Sequence, residues 1–388
     1  MYLTKEEEKI LNGEYGWAYE TSMKILVRLG DLFGATELIP IKSAHISGVS
    51  YKTVGESIDF LDALARAGGK AQVPSTLNPS SFDPEYLVGK VPRECREGQL
   101  RIISLYKEMR IEPTLTCTPY YLRKPRRGWH LAWSESSAVM YANSVLGAWT
   151  NREGGPSALA AALVGKTPNH GTHQAENRQP NVVVKVDSNL DNETEFGALG
   201  IHVGKFLKER IPLFTGLTNY TEEYLKQLGA GMATTGMTSM FYYREPAPKR
   251  DLERLSVEAR DIHNTIENLS TISEDPNLIF VGCPHCSLGE IHSIAEALEG
   301  RKVKGGTELW VCTSKHVKGK AESYVKIIEK AGGHVLCDTC PIVAWMKNLG
   351  TETVMTNSAK AAYYAPSYNE VGVTLAPLRQ CINAACRR

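Results

Sequence analysis

Nowhere does this chain run apolar for the roughly 20 consecutive residues that a membrane-spanning helix needs. Its first residues, Met1 to Lys9, are charged and lack the apolar segment of an export signal. Neither sign of charge dominates, because 44 Lys and Arg face 43 Asp and Glu for a formal net charge of +1. That balance excludes a general nucleic-acid binder and a membrane-surface protein. The one dense basic run, Arg123-Lys124-Pro125-Arg126-Arg127, reads as a solvated loop, with an anionic ligand as its second use. Internal repeats and low-complexity linkers are also missing. The expected compartment is the cytoplasm.

What is present begins with the nine cysteines, an odd count for a large chain without an export signal. A disulfide framework belongs to small secreted domains, so these cysteines are expected to be reduced, buried or metal-bound. A length of 388 residues is too great for one core and implies two or three domains.

Thr4 followed by Glu7 is a capping box, so a helix starts there. Residues 38–70 read as an extended segment, a small-residue loop Ser43-Ala44-His45-Ile46-Ser47-Gly48, and a helix over Ser57–Arg66. A Pro- and Ser-containing stretch at 73–93 follows. Residues 134–165 are rich in Ala, Ser, Gly and Asn, which suits close helix packing or close approach of the backbone to a ligand. Strands are expected at Val182–Val186, Pro212–Gly216 and within 228–243, and a helix within the polar segment 245–275.

The last 110 or so residues alternate most clearly. Strands at Leu278–Val281, Glu308–Val311, His334–Leu336 and Thr353–Met355 are separated by helices at Glu290–Leu298, 318–331 and 341–349. This is the pattern of parallel βαβ units, whose ligands bind beyond the carboxyl ends of the strands. Four loops should therefore meet at one edge: Cys283–Ser287, Cys312–Lys315, Cys337–Cys340 and Thr356–Lys360.

Two of those loops carry Cys-x-x-Cys, at Cys283–Cys286 and Cys337–Cys340. Structural zinc is the usual reading of such pairs. Here the gap between them holds a whole βαβαβ unit, and the cysteines sit where an α/β sheet binds small molecules. A thioredoxin-like pair would have to open a helix early in a small domain, and buried structural cysteine is the plainest alternative. An iron–sulfur cluster on three thiolates, with one iron open for substrate, suits the setting better. Cys117, flanked by Thr116 and Thr118, is a further candidate, since hydroxyls around a cluster sulfur tune and orient it. Spacing alone does not favour Cys283 over Cys286. Cys95, Cys312, Cys381 and Cys386 read as structural or surface thiols.

Several motifs together resemble the aconitase X family: Thr-Cys-Thr-Pro-Tyr at 116–120, Glu-Ser-Ser-Ala-Val at 135–139, Ala-Asn-Ser-Val-Leu-Gly at 142–147 and Thr-Asn-Arg-Glu-Gly-Gly at 150–155. Gly-Cys-Pro-His at 282–285, Asp-Thr-Cys at 338–340 and Thr-Asn-Ser-Ala-Lys at 356–360 complete a likeness that spans nearly the whole chain. The resemblance implies an aconitase-like α/β fold, with three α/β domains around a central cleft and a swivelling fourth domain on a separate small subunit. The domains are drawn at 1–115, 116–270 and 271–388. It implies a [4Fe–4S] cluster with one open iron, held by Cys117, Cys283 and Cys340. It also implies a heterodimeric hydro-lyase of archaeal type, converting (R)-5-phosphomevalonate to trans-anhydromevalonate 5-phosphate in a mevalonate pathway. The general base is expected on the small subunit. The alternatives are a dehydratase of another hydroxy acid, such as a hydroxyproline, and a non-catalytic zinc-stabilised binding subunit.

A substrate bearing carboxylate and phosphate calls for cations and amide-rich turns. Arg152, Lys360, Asn151, Asn357 and Ser358 are candidates, with the amides of Gly154 and Gly155 as an anion cradle or a simple tight turn. Asn143 and Ser144 either touch the ligand or permit helix packing. His45, Ser47 and Gly48 form a loop able to bind a polar ligand, although a lone His is commonly structural. His285 is placed to bond the leaving group, and Glu135 to act as acid or base or to orient Arg152. Pro168–His173 with Glu176–Arg178 reads as a polar loop rather than a metal pair.

Overall fold

The computed structural model describes residues 1–55, 58–83, 85–244, 251–272, 275–344 and 346–386. Its contacts form two compact units, Met1–Pro79 with Pro92–Gln179, and Ser80–Val91 with Pro180–Arg388.

The first unit opens on α1 (Lys5–Leu11). As the sequence predicts, the Thr4 amide donates to Glu7 at 2.7 Å and the Glu7 amide to the Thr4 hydroxyl at 3.3 Å. There follow α2 (Trp17–Leu32), β1 (Leu38–Pro40), β2 (Ala44–Ile46), α3 (Tyr51–Val54), α4 (Ile58–Arg66), β3 (Ser75–Leu77) and α5 (Arg93–Glu108). Then come β4 (Ala132–Trp133), α6 (Ser136–Tyr141), α7 (Gly155–Val164) and β5 (Lys166–Pro168). β3, β2 and β4 make a parallel sheet in that order, and β1 pairs antiparallel with β5. The expected loop at 43–48 is therefore a central strand over Ala44–Ile46, and all three of its residues are buried. α7 is buried along its Ala- and Leu-rich length and packs against α2 and β2. The start of the helix expected at Ser57 lies outside the described residues.

The second unit begins with β6 (Val182–Asp187), α8 (Glu193–Leu207), β7 (Pro212–Thr215), α9 (Glu222–Thr235), β8 (Arg254–Glu258) and α10 (Ala259–Leu269). β7, β6 and β8 form a parallel sheet. Of the strand expected within 228–243, residues 228–235 are instead the second half of α9, while Tyr242 does run parallel to β7, exchanging backbone bonds with Pro212 and Phe214 at 2.8 Å. The small residues of α9 serve helix packing: a Cβ on Gly231 would sit 2.3 Å from the Gly197 carbonyl of α8, so only glycine permits this approach. Of the helix expected within 245–275, residues 245–250 and 273–274 lie outside the described residues, 254–258 is strand, and 259–269 is helix.

The remaining elements are β9 (Leu278–Val281), α11 (Leu288–Leu298), β10 (Glu308–Thr313), α12 (Lys315–Lys320), α13 (Glu322–Ala331), β11 (His334–Cys337), β12 (Thr353–Thr356), α14 (Ala359–Asn369), β13 (Gly372–Leu375) and α15 (Leu378–Ala385). The five strands form one parallel sheet in the order β11-β10-β9-β12-β13. All four strands read from the sequence are there. The helix expected at 318–331 is broken at Ala321 into α12 and α13. The helix expected at 341–349 is two short 3-10 turns, Pro341–Val343 and Lys347–Leu349. The Ile342 carbonyl, which a helix would use, accepts from Asn369 at 2.9 Å.

Candidate functional site

The carboxyl edge of the five-stranded sheet gathers the loops that follow β11, β10, β9 and β12, which stand side by side. Three of these loops run straight into helices whose first turns are capped by a serine: Ser314 caps α12, Ser287 caps α11 and Ser358 caps α14. Each cap fixes the loop just before it. Gly282 makes the turn out of β9 at φ +101°, and a Cβ there would lie 2.2 Å from the Cys312 carbonyl. The Cys286 amide donates to that same carbonyl at 2.9 Å, and the Thr313 hydroxyl donates to the Cys286 carbonyl at 2.8 Å.

His285 joins the two cysteine loops. Its Nε2 donates to the Thr339 carbonyl at 2.9 Å, and the residue is buried. That nitrogen is committed to holding loops together. The Cys337–Cys340 loop is gripped a second time by the segment Ser80–Val91. The Ser80 amide and hydroxyl both donate to the Asp338 carbonyl, at 2.9 and 2.8 Å, and the Cys340 amide donates back to Ser80 at 3.2 Å. The buried Asp83 carboxylate accepts from the Cys337 amide at 2.6 Å. Asp338 takes a left-handed φ of +61° and pairs with Lys315 at 3.1 Å.

Burial and the neighbouring Cys283 thiol push the Cys340 thiol up to about 12, against weaker pulls from the Val343 and Ile342 amides and the Lys360 ammonium. Without a cation the Cys340 thiol stays protonated; an iron partner would draw it to thiolate. Cys312, read from the sequence as a structural thiol, belongs to the same group. Burial first, then Cys286, Cys340 and Cys283, drive its thiol well up. Among the described residues no three His, Cys, Asp or Glu side chains are gathered into a ready metal site. In this unit the soft donors of the expected ligand set are the two thiols Cys283 and Cys340, which suit iron.

On the adjacent loop, the Asn357 amide donates to Glu193 at 3.1 Å while its buried Oδ1 has no partner among the described residues. The Ser358 hydroxyl is taken by the Ala361 amide at 3.2 Å.

The first unit repeats the geometry at the carboxyl edge of its own parallel sheet. Ser47 follows β2, Asn78 follows β3, and Ser134 and Glu135 follow β4. Cys117 lies just beyond residues 112–116, which run alongside β3. It is half-buried between Thr116 and Thr118, whose hydroxyls bond at 3.1 Å.

His45 lies wholly inside. Its Nε2 reaches Asn78 Oδ1 at 3.1 Å and its Nδ1 reaches the Thr76 hydroxyl at 2.8 Å. Asn78 donates its NH2 to Glu135 at 2.8 Å, so its Oδ1 faces the histidine and Nε2 carries the proton. Burial lowers the His45 pKa to about 4, with Asn78 and Glu135 pulling weakly the other way. Both ring nitrogens are hydrogen-bonded inside the fold. Glu135 spends its other oxygen on the Ser137 amide at 3.3 Å and hydroxyl at 2.9 Å, capping α6.

Asn143 sits on a π-helical turn, Ala142–Leu146, and exchanges bonds with the Thr150 backbone at 2.8 and 3.0 Å; Arg178 adds one at 3.2 Å. Asn151 ties down the 170–172 segment through the His170 carbonyl at 3.0 Å and the Thr172 amide at 2.8 Å. Both asparagines therefore shape the backbone around the half-buried Ser144 and Arg152. The Gly154 amide is taken by the Ser157 hydroxyl at 3.0 Å, which favours the tight-turn reading over the anion cradle. Ser47 donates its amide to the Ser134 hydroxyl at 2.6 Å, and Gly48 is exposed at φ +75°.

The chain belongs to the aconitase X family. It matches the sequence models of the aconitase X first domain over residues 1–176, the second over 180–267 and the third over 276–387. It is 47% identical to the phosphomevalonate dehydratase large subunit of Methanocaldococcus jannaschii, over 95% of this chain and 96% of that one. It is 31% identical to the cis-3-hydroxy-L-proline dehydratase of Pseudomonas aeruginosa, over 98% of this chain but 69% of that one. Its fold is similar to the crystal structure of Thermococcus kodakaraensis aconitase X in its holo-form, with a TM-score of 0.93 and 44% identity over 99% of this chain and 100% of that one.

Proposed function

We propose that this chain is the large subunit of a hydro-lyase that dehydrates (R)-5-phosphomevalonate to trans-anhydromevalonate 5-phosphate, in a mevalonate pathway of archaeal type. The observation that carries it is the extent of the likeness. Nearly all of the archaeal dehydratase large subunit is matched at 47% identity, against 69% of the hydroxyproline dehydratase at 31%.

The cofactor is an iron–sulfur cluster, [4Fe–4S] with one open iron, and its thiolate ligands are Cys117, Cys283 and Cys340. Cys283 and Cys340 are supported by their shared loop edge and soft-donor chemistry, Cys117 by the sequence pattern alone. Bound there, the cluster supplies a Lewis acid for the leaving hydroxyl. The chain's own residues bind and orient. Lys360, in the first turn of α14, offers a cation to the substrate carboxylate or phosphate, and Asn357 offers its bare Oδ1 to a hydroxyl. Arg152, with Ser47, Gly48 and Ser144, offers polar contacts on the first unit, while Asn143, Asn151 and Ser358 hold the backbone there and at α14. His285 and Glu135 position the loops they bridge. The base that takes the proton beside the carboxylate comes from a small-subunit partner carrying the swivelling domain, in a cytoplasmic heterodimer.

The test is to assay the chain, with and without its small-subunit partner, on phosphomevalonate and on cis-3-hydroxy-L-proline. Alkene product seen by NMR from phosphomevalonate, and only with the partner, is the expected result. Turnover of the hydroxyproline instead would replace the proposed substrate.

A further inference from the structure

We infer that Lys226 and Gln227, consecutive on α9, are positioning residues that hold the Cys283 loop by its carbonyls and set how firmly the cluster iron is kept. The inference rests on the proposed cluster. Gln227 is buried, and its NH2 donates to the Cys283 carbonyl at 3.3 Å. Lys226 has a fully buried side chain, and its ammonium donates to the His285 carbonyl at 3.2 Å while pairing with Glu290. Glu290 in turn accepts the Ser287 amide at 2.7 Å, in the cap of α11. Two carbonyls and one amide of a five-residue loop are thus fixed by three side chains.

A lysine in this position needs a reason. Taking an ammonium fully out of water costs several kcal/mol, which an ion pair offsets only in good geometry. Its gain here is a rigid grip, because α9 cannot shift freely: Gly231 lies against the backbone of α8 with no room for a side chain. Gln227 adds a second sign. Its amide group is turned so that NH2 meets Cys283, which leaves Oε1 buried and without a partner among the described residues. A buried acceptor left bare costs roughly 1–3 kcal/mol, so this orientation is retained for what the NH2 does to the loop. The ion pair also reaches the Cys286 thiol: behind burial, Glu290 raises it and Lys226 pulls it down more weakly. Removing Lys226 alone leaves that carboxylate uncompensated, and added negative charge lowers a cluster's reduction potential.

The experiment uses the full chain, reconstituted anaerobically, and follows iron release to a chelator together with the midpoint potential read by EPR. Gln227→Met keeps the shape and removes the donor. Lys226→Met/Glu290→Gln removes both partners of the ion pair, so that neither is left buried and charged. Both variants should release iron about 10- to 100-fold faster, the usual effect of losing an outer partner of a metal ligand. The Gln227→Met apoprotein should melt close to the parent. Lys226→Met alone should lower the midpoint potential, and the double variant, which removes the carboxylate as well, should lie above that single variant. Iron release at the parent's rate from a folded Gln227→Met protein would overturn the inference, even if the double variant did not fold. A parent that takes up no cluster would overturn this inference and the proposed function together.

Discussion

Acid should destabilise this protein through His45, by an amount the buried network fixes. The free imidazole titrates near 6.5 and the buried one at about 4, because desolvation disfavours its charged form. Between those two pH values the unfolded chain carries a proton that the folded chain does not. Stability therefore falls as pH drops through that window and is fully present only above about 6.5. At roughly 1.4 kcal/mol for each tenfold change, the loss at pH 4 is about 3 kcal/mol. The added proton would fall on Nδ1, and the Thr76 hydroxyl would then accept from it and donate to the Ala44 carbonyl at 3.4 Å, so the cost that remains is the burial of the charge. The assay is urea unfolding followed by circular dichroism at pH 7, 6, 5 and 4, for the parent and for His45→Gln. Glutamine can still donate to Asn78 but does not titrate. The parent should lose about 3 kcal/mol more than the variant across the series. His173, lowered by burial and its histidine and arginine neighbours to about 3, has the same sign and leaves a residual slope in both proteins. Equal slopes for parent and variant would refute the reasoning.

Two other outcomes follow from the loop geometry. Gly282→Ala should strain the backbone by about 1–3 kcal/mol at its positive φ and drive a methyl into the Cys312 carbonyl, so a lowered melting temperature is expected, and a melting curve unchanged from the parent's would contradict it. Cys286→Ser and Cys337→Ser should keep most of the reconstituted iron, measured by colorimetric assay, because neither is assigned as a ligand; loss on Cys286→Ser greater than on Cys283→Ser would reverse the assignment.

The C-terminal sheet was legible because its strands are short and largely apolar, and the loops after three of them end on a serine that caps the next helix. The parallel-strand rule then placed the four loops together. His45 misled because a polar residue among small ones reads as loop, whereas here Thr76 and Asn78 satisfy its ring inside a central strand. Residues 228–235 misled because Gly, Ala and Met carry no clear period; their smallness is explained only by the α8 backbone that they touch. Nothing local marks Ser80 or Asp83, whose partners lie about 250 residues away. Lys226 is equally silent, since a lysine in an amphipathic stretch normally faces water. Cys312 was in the right loop, but its closeness to Cys283 and Cys340 depends on the order of strands in the sheet.

The most direct measurement is the iron and sulfide content and the visible spectrum of the chain purified without oxygen, beside Cys283→Ser and Cys340→Ser. A brown parent with broad visible absorption, and near-colourless variants that fold but hold little iron, is the expected result. A colourless parent containing zinc, or variants that keep the parent's iron and spectrum, would contradict the assignment of these two loops as the centre of the active site.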